Sequence, residues 1–458
     1  MPSHRVTRRR FLKSTAATGT AAWVGTSGRA AAFHSPNQRP RIGVVGCACR
    51  WDKRVMDPKG RYGIGEAFTR FGDIVTVCDV DRRRLDAAAA LVKSWLGSKP
   101  AEAVDYRKVI NDPSIDVVHI TTPDHWHAKI AIEAMLAGKD VYCEKPLTLT
   151  IEEGKLIGEV RRKTGAVFQV GTQQRSGRQF IQAVAMIRAG RLGKLKHVQC
   201  GIGGGPTSPA IPKATPPKHL DWNQWLGPAP QTPYLYQAGA TNIVNAWTRG
   251  HYEFRWWYEY SGGKLTDWGA HHVDIATWGM DKTTTGPVTV DPVMVEHPVE
   301  FRDGYPVVDN RYNTATAFKI KATYDDGVEL TIRHDTDNGI LFEGTEGRIF
   351  VNRGRLTGKP VEELAGDPLP DGALQAVYKD RPLTDHVTNF FEAVAARREP
   401  ISDVYSHHRA LTTCHLAGIA ARLGRTIHWD PGRERVVDDA LAQSLVGRTP
   451  RAGFEIEM

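Results

Sequence analysis

Lys145 is the residue whose position in the sequence points most directly to chemistry. It lies in Glu144-Lys145-Pro146, directly after the apolar run 140–143, which predicts a β-strand. The carboxyl edge of a parallel sheet opens toward a ligand crevice, and Pro146 restricts Lys145 to extended backbone and ends the strand. A charged amine held at such an edge indicates a chemical role, with a solvated surface lysine as the alternative.

Asp267 and His271 form a second candidate group, within Asp267-Trp-Gly-Ala-His271-His-Val-Asp274. Residues four apart share one face of a helix, so Asp267 could orient the His271 ring. An imidazole with an ordinary pKa of about 6.5 suits the removal of a proton near neutral pH. The alternative is a capped helix with packed histidines, and His272 is the less favoured of the two histidines.

The elements that must position Lys145 alternate between strand and helix. Apolar runs at 41–46, 73–79, 115–121, 140–143 and 166–170 predict strands, and helical patterns lie between them at 82–96, 127–137 and 151–164. This alternation predicts a doubly wound α/β domain of Rossmann type with a parallel sheet over residues 40–165.

A different pattern follows the first domain. Strand-like runs at 195–200, 314–324, 328–334 and 348–351 alternate apolar and polar residues, and helices are predicted at 382–396 and 406–423. Residues 166–430 are therefore predicted to form an α+β domain with a large, mainly antiparallel open sheet. Its free face predicts a homo-oligomer, a dimer or tetramer, and residues 431–458 are interpreted as a C-terminal extension.

The first 32 residues are basic and contain no acid. Thr7-Arg8-Arg9-Arg10-Phe11-Leu12-Lys13 resembles the twin-arginine export motif, and Ala30-Ala31-Ala32 offers a cleavage site. Residues 1–32 are therefore predicted to be a signal peptide that directs the protein to the periplasm, with a basic tail as the alternative. The apolar run is too short to span a membrane. Without this leader the formal charge falls from +9 to +3, so no nucleic-acid partner is expected.

The cysteines and histidines give no sign of a disulfide or a metal site. The six cysteines are scattered, and Cys47-x-Cys49 lacks the spacing of a redox or zinc pair. No zinc-type helix motif of carboxylate and histidine occurs. We predict neither disulfides nor a bound metal.

A glycine turn after the first strand suggests a dinucleotide site. In Gly43-Val-Val-Gly46-Cys-Ala48-Cys-Arg50, Gly46 would let backbone N–H groups approach a pyrophosphate. Ala48 and Trp51 stand where the fingerprint has its second and third glycines, and tryptophan cannot serve as a close-packing glycine. Gly63 or Gly65 could restore the entry to the helix.

Asp79, at the end of the second predicted strand, strengthens this interpretation. A carboxylate there accepts hydrogen bonds from the ribose hydroxyls and repels a 2′-phosphate, which favours NAD over NADP. Arg82, Arg83 and Arg84 follow it and could reverse that preference, so NADP stays possible. An ordinary turn acid is the alternative for Asp79, and a flavodoxin-like fold is the alternative for the domain.

These motifs together resemble the Gfo/Idh/MocA oxidoreductase family. Thr121-Thr122-Pro123-Asp-His-Trp-His127, Glu144-Lys145-Pro146 and the Asp267–His271 motif carry the resemblance, which covers residues 40–430. Residues 171–176 and 220–228 resemble exported bacterial members. The resemblance implies that Lys145 lies beside the nicotinamide and the substrate hydroxyl, and that Gly46, Ala48, Asp79, Thr122, Pro123, His127 and Glu144 belong to the cofactor site.

The implied activity is hydride transfer between NAD(P) and a hydroxyl carbon of a sugar or cyclitol. His271 would act as the base, Asp267 would orient it, and Lys145 would hold the hydroxyl oxygen. Aromatic residues between 247 and 278 could stack on a sugar or could be core. Arg175, Arg249 and Arg255 are further candidates for substrate contacts.

Export leaves two other functions open. Because the periplasm has no free NAD pool, the cofactor is expected to stay bound, which also suits a redox-neutral carbohydrate enzyme such as a glycoside hydrolase, epimerase or lyase acting through a keto sugar. Hydrolytic members of the family usually lack the lysine, so Lys145 argues against that branch. A non-catalytic sugar-binding protein is the second alternative.

Overall fold

The structure, a computed structural model, describes residues 39–56, 63–239, 241 and 244–456. The predicted signal peptide, residues 1–32, lies outside these described residues.

The first half of the described chain forms a six-stranded parallel sheet in the order β3-β2-β1-β4-β5-β6. Its strands are β1 (Arg41–Val45), β2 (Asp73–Cys78), β3 (Ala101–Ala103), β4 (Val117–Ile120), β5 (Asp140–Cys143) and β6 (Phe168–Val170). The order reverses direction between β1 and β4, and such a switch point is where a doubly wound sheet opens a crevice for a ligand.

Five helices accompany this sheet. They are α1 (Gly65–Phe68), α2 (Arg82–Leu96), α3 (Arg107–Ile110), α4 (Asp124–Leu136) and α5 (Ile151–Thr164). The bounds of α2 and α5 agree with the prediction because local signals set them: Asp81 caps α2, a Thr150–Glu153 capping box opens α5, and both helices end at a left-handed glycine.

The second half contains a nine-stranded sheet in the order β17-β16-β15-β7-β14-β13-β10-β18-β19. Its strands are β7 (Leu195–Gly201), β10 (Thr289–Glu296), β13 (Ala317–Thr323), β14 (Glu329–Arg333), β15 (Gly339–Gly344), β16 (Arg348–Val351), β17 (Leu356–Thr357), β18 (Ile427–Asp430) and β19 (Arg435–Val436). Two short ribbons pair β8 (Tyr236–Ala238) with β9 (Ala246–Thr248) and β11 (Phe301–Arg302) with β12 (Tyr305–Pro306). All neighbours in the large sheet are antiparallel except β7 and β14, so the fold is α/β followed by α+β, as predicted.

The nine-stranded sheet has one apolar and one polar face. In β13, buried Phe318, Ile320 and Ala322 alternate with more exposed neighbours. On the other face the His197 ring bonds the side chains of Glu343 and Thr331 on the adjacent strands. This alternation is the pattern of a sheet with one covered face.

Helices of the second half cover the apolar face and flank the site. They are α6 (Arg178–Arg188), α7 (Trp222–Leu226), α8 (Lys264–Asp267), α9 (Gly269–Gly279), α10 (Lys359–Glu362), α11 (Ala373–Val377), α12 (His386–Ala396), α13 (Val404–Leu423) and α14 (Ala440–Ser444). The helix predicted from residue 382 begins at His386, because the Asp385 carboxylate accepts the Val387 and Thr388 N–H groups and caps it there.

The carboxyl-terminal segment packs across α4 and the loop after α7. Arg448 donates to the His125 carbonyl at 2.6 Å, and Arg451 donates to the Gly227 carbonyl at 2.8 Å. The Phe454 ring packs edge-on against Trp126. No helix in the described part of the chain is long and apolar enough to cross a bilayer.

Candidate active site

A cleft of about 1050 Å³ opens at the carboxyl edge of the parallel sheet. We call it the sheet-edge cleft. Seven of the predicted cofactor residues line it: Gly46, Ala48, Asp79, Thr122, Pro123, Glu144 and Lys145. Sequence motifs spread over about 100 positions therefore meet on one wall, as expected for loops at the carboxyl ends of neighbouring parallel strands.

Gly46 shapes the floor of this cleft. Its φ of 87° is left-handed, and its N–H donates to the Cys78 carbonyl at 2.8 Å. A Cβ at this position would lie 2.7 Å from the Thr122 nitrogen, so no other residue fits without moving the backbone. The glycine lets the turn after β1 press against the end of β4.

Trp51 takes a different role from a fingerprint glycine. Its indole is fully buried, and a Cβ on Gly65 would lie 2.5 Å from it. Gly65 begins α1 and donates its N–H to the Trp51 carbonyl. Of the two glycines proposed to restore the helix entry, Gly65 is the one that makes this close contact.

The Asp79 carboxylate holds the turn directly after Gly46. Its Oδ2 accepts from the Cys47 N–H at 2.7 Å and its Oδ1 from the Asp81 N–H at 2.8 Å. Burial raises the pKa of Asp79, and the Arg84 charge opposes that rise. Of the three arginines after β2, Arg84 lines the cleft, whereas Arg82 and Arg83 are exposed.

The Lys145 ammonium is bound by Asp267. Nζ donates to Oδ1 at 2.5 Å and to the Asp267 carbonyl at 2.9 Å. Burial lowers the pKa of Lys145, and Asp267 opposes that shift. Burial alone would raise the pKa of Asp267, but the charges of Lys145 and Arg255 hold it below its usual range.

His271 is not oriented by Asp267, contrary to the prediction. Helix α8 ends at Asp267 and α9 begins at Gly269, and the Asp267 carboxylate binds Lys145 instead. The Nδ1 of His271 is buried without a hydrogen-bond partner. Burial, and next the Lys145 charge, lower the pKa of His271 well below its ordinary value, so the ring is neutral. Within the described residues, it lies outside the lining of the sheet-edge cleft.

Glu144 is held by groups from two other loops. Its Oε2 lies 2.6 Å from Arg50 Nε, and its Oε1 accepts from Gln173 Nε2 at 3.2 Å. Arg50 also lines the cleft and was given no role from the sequence. Its position directly after the glycine turn is the signal that could have identified it.

His127 lies behind the cleft wall and connects two of its segments. Its Nε2 is 2.9 Å from the Thr122 carbonyl and its Nδ1 is 2.7 Å from the Pro146 carbonyl. A neutral ring can donate to one of these oxygens at a time. His127 is thus placed to position Thr122 and the Glu-Lys-Pro segment.

A second cavity of about 1110 Å³ adjoins the first. We call it the aromatic cavity, since five aromatic residues line it: Trp247, Tyr252, Trp256, Trp268 and Tyr312. Asp267 also lines it, and Tyr252 lines both cavities. The aromatic residues predicted from the sequence are therefore divided between two roles. Some of them line this cavity, whereas Trp257 and Tyr260 are fully buried in the core.

Two of the three arginines suggested for substrate binding are structural. Arg175 makes two 2.8 Å hydrogen bonds to the buried Asp274 carboxylate, and fully buried Arg249 stacks over the Trp257 ring. Arg255 lines the sheet-edge cleft, with its Nε 3.6 Å from Asp267.

The cysteines and metal-binding residue types form no cluster in the structure. All six cysteines are free thiols. The described ranges contain no group of three or more His, Cys, Asp or Glu side chains placed to hold a metal ion.

The residues of the sheet-edge cleft fit a dinucleotide. The glycine turn at Gly46 lies on the cleft, the buried Thr122 hydroxyl has no partner, and the Asp79 carboxylate lines the same cleft. A backbone approach for phosphates and an acid for ribose hydroxyls are what such a cofactor requires.

Comparison with known proteins agrees with this geometry. The Gfo/Idh/MocA model for an NAD-binding Rossmann fold matches residues 41–172, and the model for the C-terminal alpha/beta domain of that oxidoreductase family matches residues 207–456.

Curated relatives match a shorter stretch. A glycosyl hydrolase family 109 protein of Shewanella sp. strain MR-4 is 29% identical over 209 residues, 42% of this chain and 45% of that protein. The same figures hold for an alpha-N-acetylgalactosaminidase of Shewanella oneidensis. The match thus spans less than half the length of these relatives.

Solved structures share the fold at low identity. WlbA dehydrogenase from Bordetella pertussis, in complex with NADH and UDP-GlcNAcA, is 18% identical with a TM-score of 0.56, covering 86% of this chain and 99% of that chain. Aldose-aldose oxidoreductase from Caulobacter crescentus is 17% identical with a TM-score of 0.55, covering 85% and 100%. With both domain models matched in order over most of the described residues, the chain belongs to the Gfo/Idh/MocA oxidoreductase family, and its amino-terminal domain is an NAD-binding Rossmann domain.

Proposed function

We propose that this protein transfers a hydride between NAD and a hydroxyl-bearing carbon of a sugar or cyclitol. The observation that carries the proposal is the Lys145–Asp267 ion pair, since Lys145 lines the sheet-edge cleft and Asp267 lines the aromatic cavity. A charged hydrogen-bond donor thus stands where a nucleotide site and a sugar-sized aromatic site meet.

The side chains divide the work of alcohol oxidation between them. The Lys145 ammonium donates to the substrate oxygen and stabilises the negative charge that develops there. The Asp267 charge opposes the fall in the pKa of Lys145 that burial causes. His271 is the proton acceptor predicted from the sequence. Its neutral ring is the form that this role requires, whereas its lowered pKa and its place outside the lining of both cavities, among the described residues, count against the role. NAD, when bound, supplies the hydride acceptor.

The cofactor would be held by the residues that line the sheet-edge cleft. The turn that follows Gly46 would lie against the phosphates, Asp79 would accept from the ribose hydroxyls, and the Thr122 hydroxyl is free to bond the nucleotide. The Asp79 charge disfavours a 2′-phosphate, whereas Arg84 on the same wall would attract one. We propose NAD as the working cofactor, with NADP as the alternative that Arg84 permits.

We further propose that the protein is exported by the twin-arginine pathway to the periplasm, retains its NAD there and assembles as a homo-oligomer. The Arg8-Arg9-Arg10-Phe11 leader supports export. The polar face of the nine-stranded sheet supports self-association.

The second candidate is a redox-neutral carbohydrate enzyme. The glycosyl hydrolase names of the 29% identical relatives favour it. Lys145 argues against it, because the family resemblance implies that hydrolytic members usually lack this lysine.

Analysis of retained cofactor, followed by a sugar panel, distinguishes these functions. Purified protein is denatured, the released nucleotide is identified by mass and absorbance, and native protein is tested for NADH formation with neutral sugars, acidic sugars, cyclitols and aryl glycosides. We expect released NAD, and NADH formation with at least one sugar or cyclitol. Release of aglycone without NADH would support the redox-neutral enzyme, and a Gly46→Val variant without retained nucleotide is the control.

A further inference from the structure

Glu253 is a buried acidic residue of the aromatic cavity to which the proposed reaction assigns no role. It lies in the 3-10 helix His251–Trp256 and is 3% exposed. Its neighbour Tyr252 lines both cavities. A buried carboxylate requires hydrogen-bond donors, so the identity of those donors indicates what the group is for.

Two donors reach the same oxygen of Glu253. The Trp256 indole N–H donates to Oε2 at 2.8 Å, and the Tyr312 hydroxyl donates to Oε2 at 2.9 Å. Both donors also line the aromatic cavity. The Thr241 hydroxyl is a third hydrogen-bond partner of this carboxylate. Because a carboxylate can accept about four hydrogen bonds, capacity is left for a donor from a molecule in the cavity.

Hydrogen-bond donors and a nearby positive charge oppose the effect of burial on this carboxylate. Burial raises the pKa of Glu253, while Tyr312, Trp256, Arg255 and the Thr241 hydroxyl oppose that rise. The other titratable groups of the same cavity are Tyr252, Lys264 and Asp267. Glu253 is thus a buried acceptor without an ion-pair partner within 4 Å among the described residues.

We propose that Glu253 is a specificity-determining residue that recognises a donor hydroxyl of a neutral sugar held between the aromatic walls. The assignment rests on the proposed function, since it identifies what the substrate presents to that site. A carboxylate accepts and does not donate, so it favours a hydroxyl and disfavours a deoxy position, an ether or a second carboxylate at that point. Aromatic faces on the cavity wall suit the C–H faces of the ring.

Sugar binding and turnover in a Glu253→Gln variant test the proposal. Binding is measured by tryptophan fluorescence, turnover by NADH formation, and the panel contains one neutral sugar, its monodeoxy analogues and its uronate. We expect KM and the dissociation constant to rise roughly 10- to 100-fold while kcat changes little, since one charged hydrogen bond is lost. One monodeoxy analogue should be discriminated by the wild type and no longer by the variant. Unchanged KM and unchanged discrimination would overturn the proposal.

A matched control and a second variant support the measurement. The control is Glu259→Gln, which changes the same residue type a few positions later. The Glu259 carboxylate accepts from Asn313 at 3.0 Å and lies outside the lining of the aromatic cavity. This variant should therefore leave KM unchanged. Should Glu253→Gln not fold, Tyr312→Phe removes one orienting donor and should raise KM about 2- to 10-fold. An unaltered KM in Tyr312→Phe would then overturn the proposal.

The outcomes separate this inference from the proposed function. Glu253-dependent sugar binding without NADH formation would support the inference and contradict the proposed oxidation. Sugar oxidation that is unchanged in the Glu253→Gln variant would support the proposed oxidation and contradict the inference. Failure of every panel sugar to bind or react with the wild type would overturn both.

Discussion

Two cation–carboxylate pairs of this molecule are built differently: one joins the parallel-sheet domain to the second domain, and the other lies within the second domain. Lys145–Asp267 consists of an amine bound to one carboxylate oxygen and one carbonyl, at the boundary of two cavities. Arg175–Asp274 is a two-pronged guanidinium–carboxylate pair with both side chains buried. The two acids are seven residues apart, at the end of α8 and within α9.

The difference indicates which pair serves the fold and which serves the site. Asp274 receives both arms of Arg175 and faces His407 Nδ1 at 3.3 Å, and these partners lower its pKa to about 2 against the effect of burial. The Lys145 ammonium donates to Asp267 twice, which leaves one N–H group for a ligand in the cleft. A second cation, Arg255, lies 3.6 Å from the same Asp267 carboxylate. A pair whose hydrogen-bonding groups are all used serves the fold, whereas a pair with an unused hydrogen-bond donor can bind a ligand.

The largest effect on stability is expected from Arg175→Met. Removal of the guanidinium leaves the buried Asp274 carboxylate unpaired, which costs about 3–5 kcal/mol of unfolding free energy. Urea unfolding followed by circular dichroism measures it. The exposed Arg178→Met on α6 should shift stability by less than about 0.5 kcal/mol, and an equal shift in both variants would contradict a structural role specific to Arg175.

The reverse pattern is expected from Lys145→Met. Loss of the donor at the substrate oxygen should lower kcat/KM about 10²- to 10³-fold. Stability should fall by only about 1 kcal/mol, because Arg255 still faces Asp267 and the site is partly solvated. Steady-state kinetics and urea unfolding on the same preparation compare the two quantities, with exposed Lys93→Met as the control. Full activity in Lys145→Met would remove the lysine from the mechanism.

The smallest effect is expected in the pH profile of Asp267→Asn. The reacting form needs a protonated Lys145, so activity should fall as pH rises through the lysine pKa, which burial lowers. The Asp267 charge opposes that shift, so its removal should move the alkaline limb to lower pH by roughly 1 unit. kcat measured between about pH 6 and 11 tests this, with Asp86→Asn as the exposed control. If the alkaline limb of the kcat profile does not move, it reports the ionisation of a group other than Lys145.

Elements defined by local signals could be predicted from the sequence. The ends of α2 and α5 follow from caps and left-handed glycines, and the alternation of strand and helix identifies the parallel sheet. Strand β15 was missed although Asp337-Asn338-Gly339 before it and Gly344-Thr-Glu-Gly347 after it are turn signals. Its pairing with β7 joins residues far apart in sequence.

Side-chain partners in the site could not be predicted in the same way. The spacing of Asp267 and His271 suggested one continuous helix, but the helix breaks at Trp268 and the carboxylate binds an amine 122 residues away. The choice depends on how the two halves pack, which no local pattern encodes. Glu253 was missed for a related reason. One donor to its carboxylate, Trp256, is three residues away in the same short helix, but the other, Tyr312, is 59 residues away and reaches it only through the fold.

The short helix His251–Trp256 is a wall common to both cavities. It presents Tyr252 to each of them, Glu253 to the aromatic cavity and Arg255 to the sheet-edge cleft. A ligand that orders this wall from one side prepares it for the other, and such coupling is reciprocal by thermodynamic necessity. If a bound sugar raises the affinity for the nucleotide by some factor, the nucleotide raises the affinity for the sugar by the same factor. An abundant substrate would then increase the retention of the cofactor.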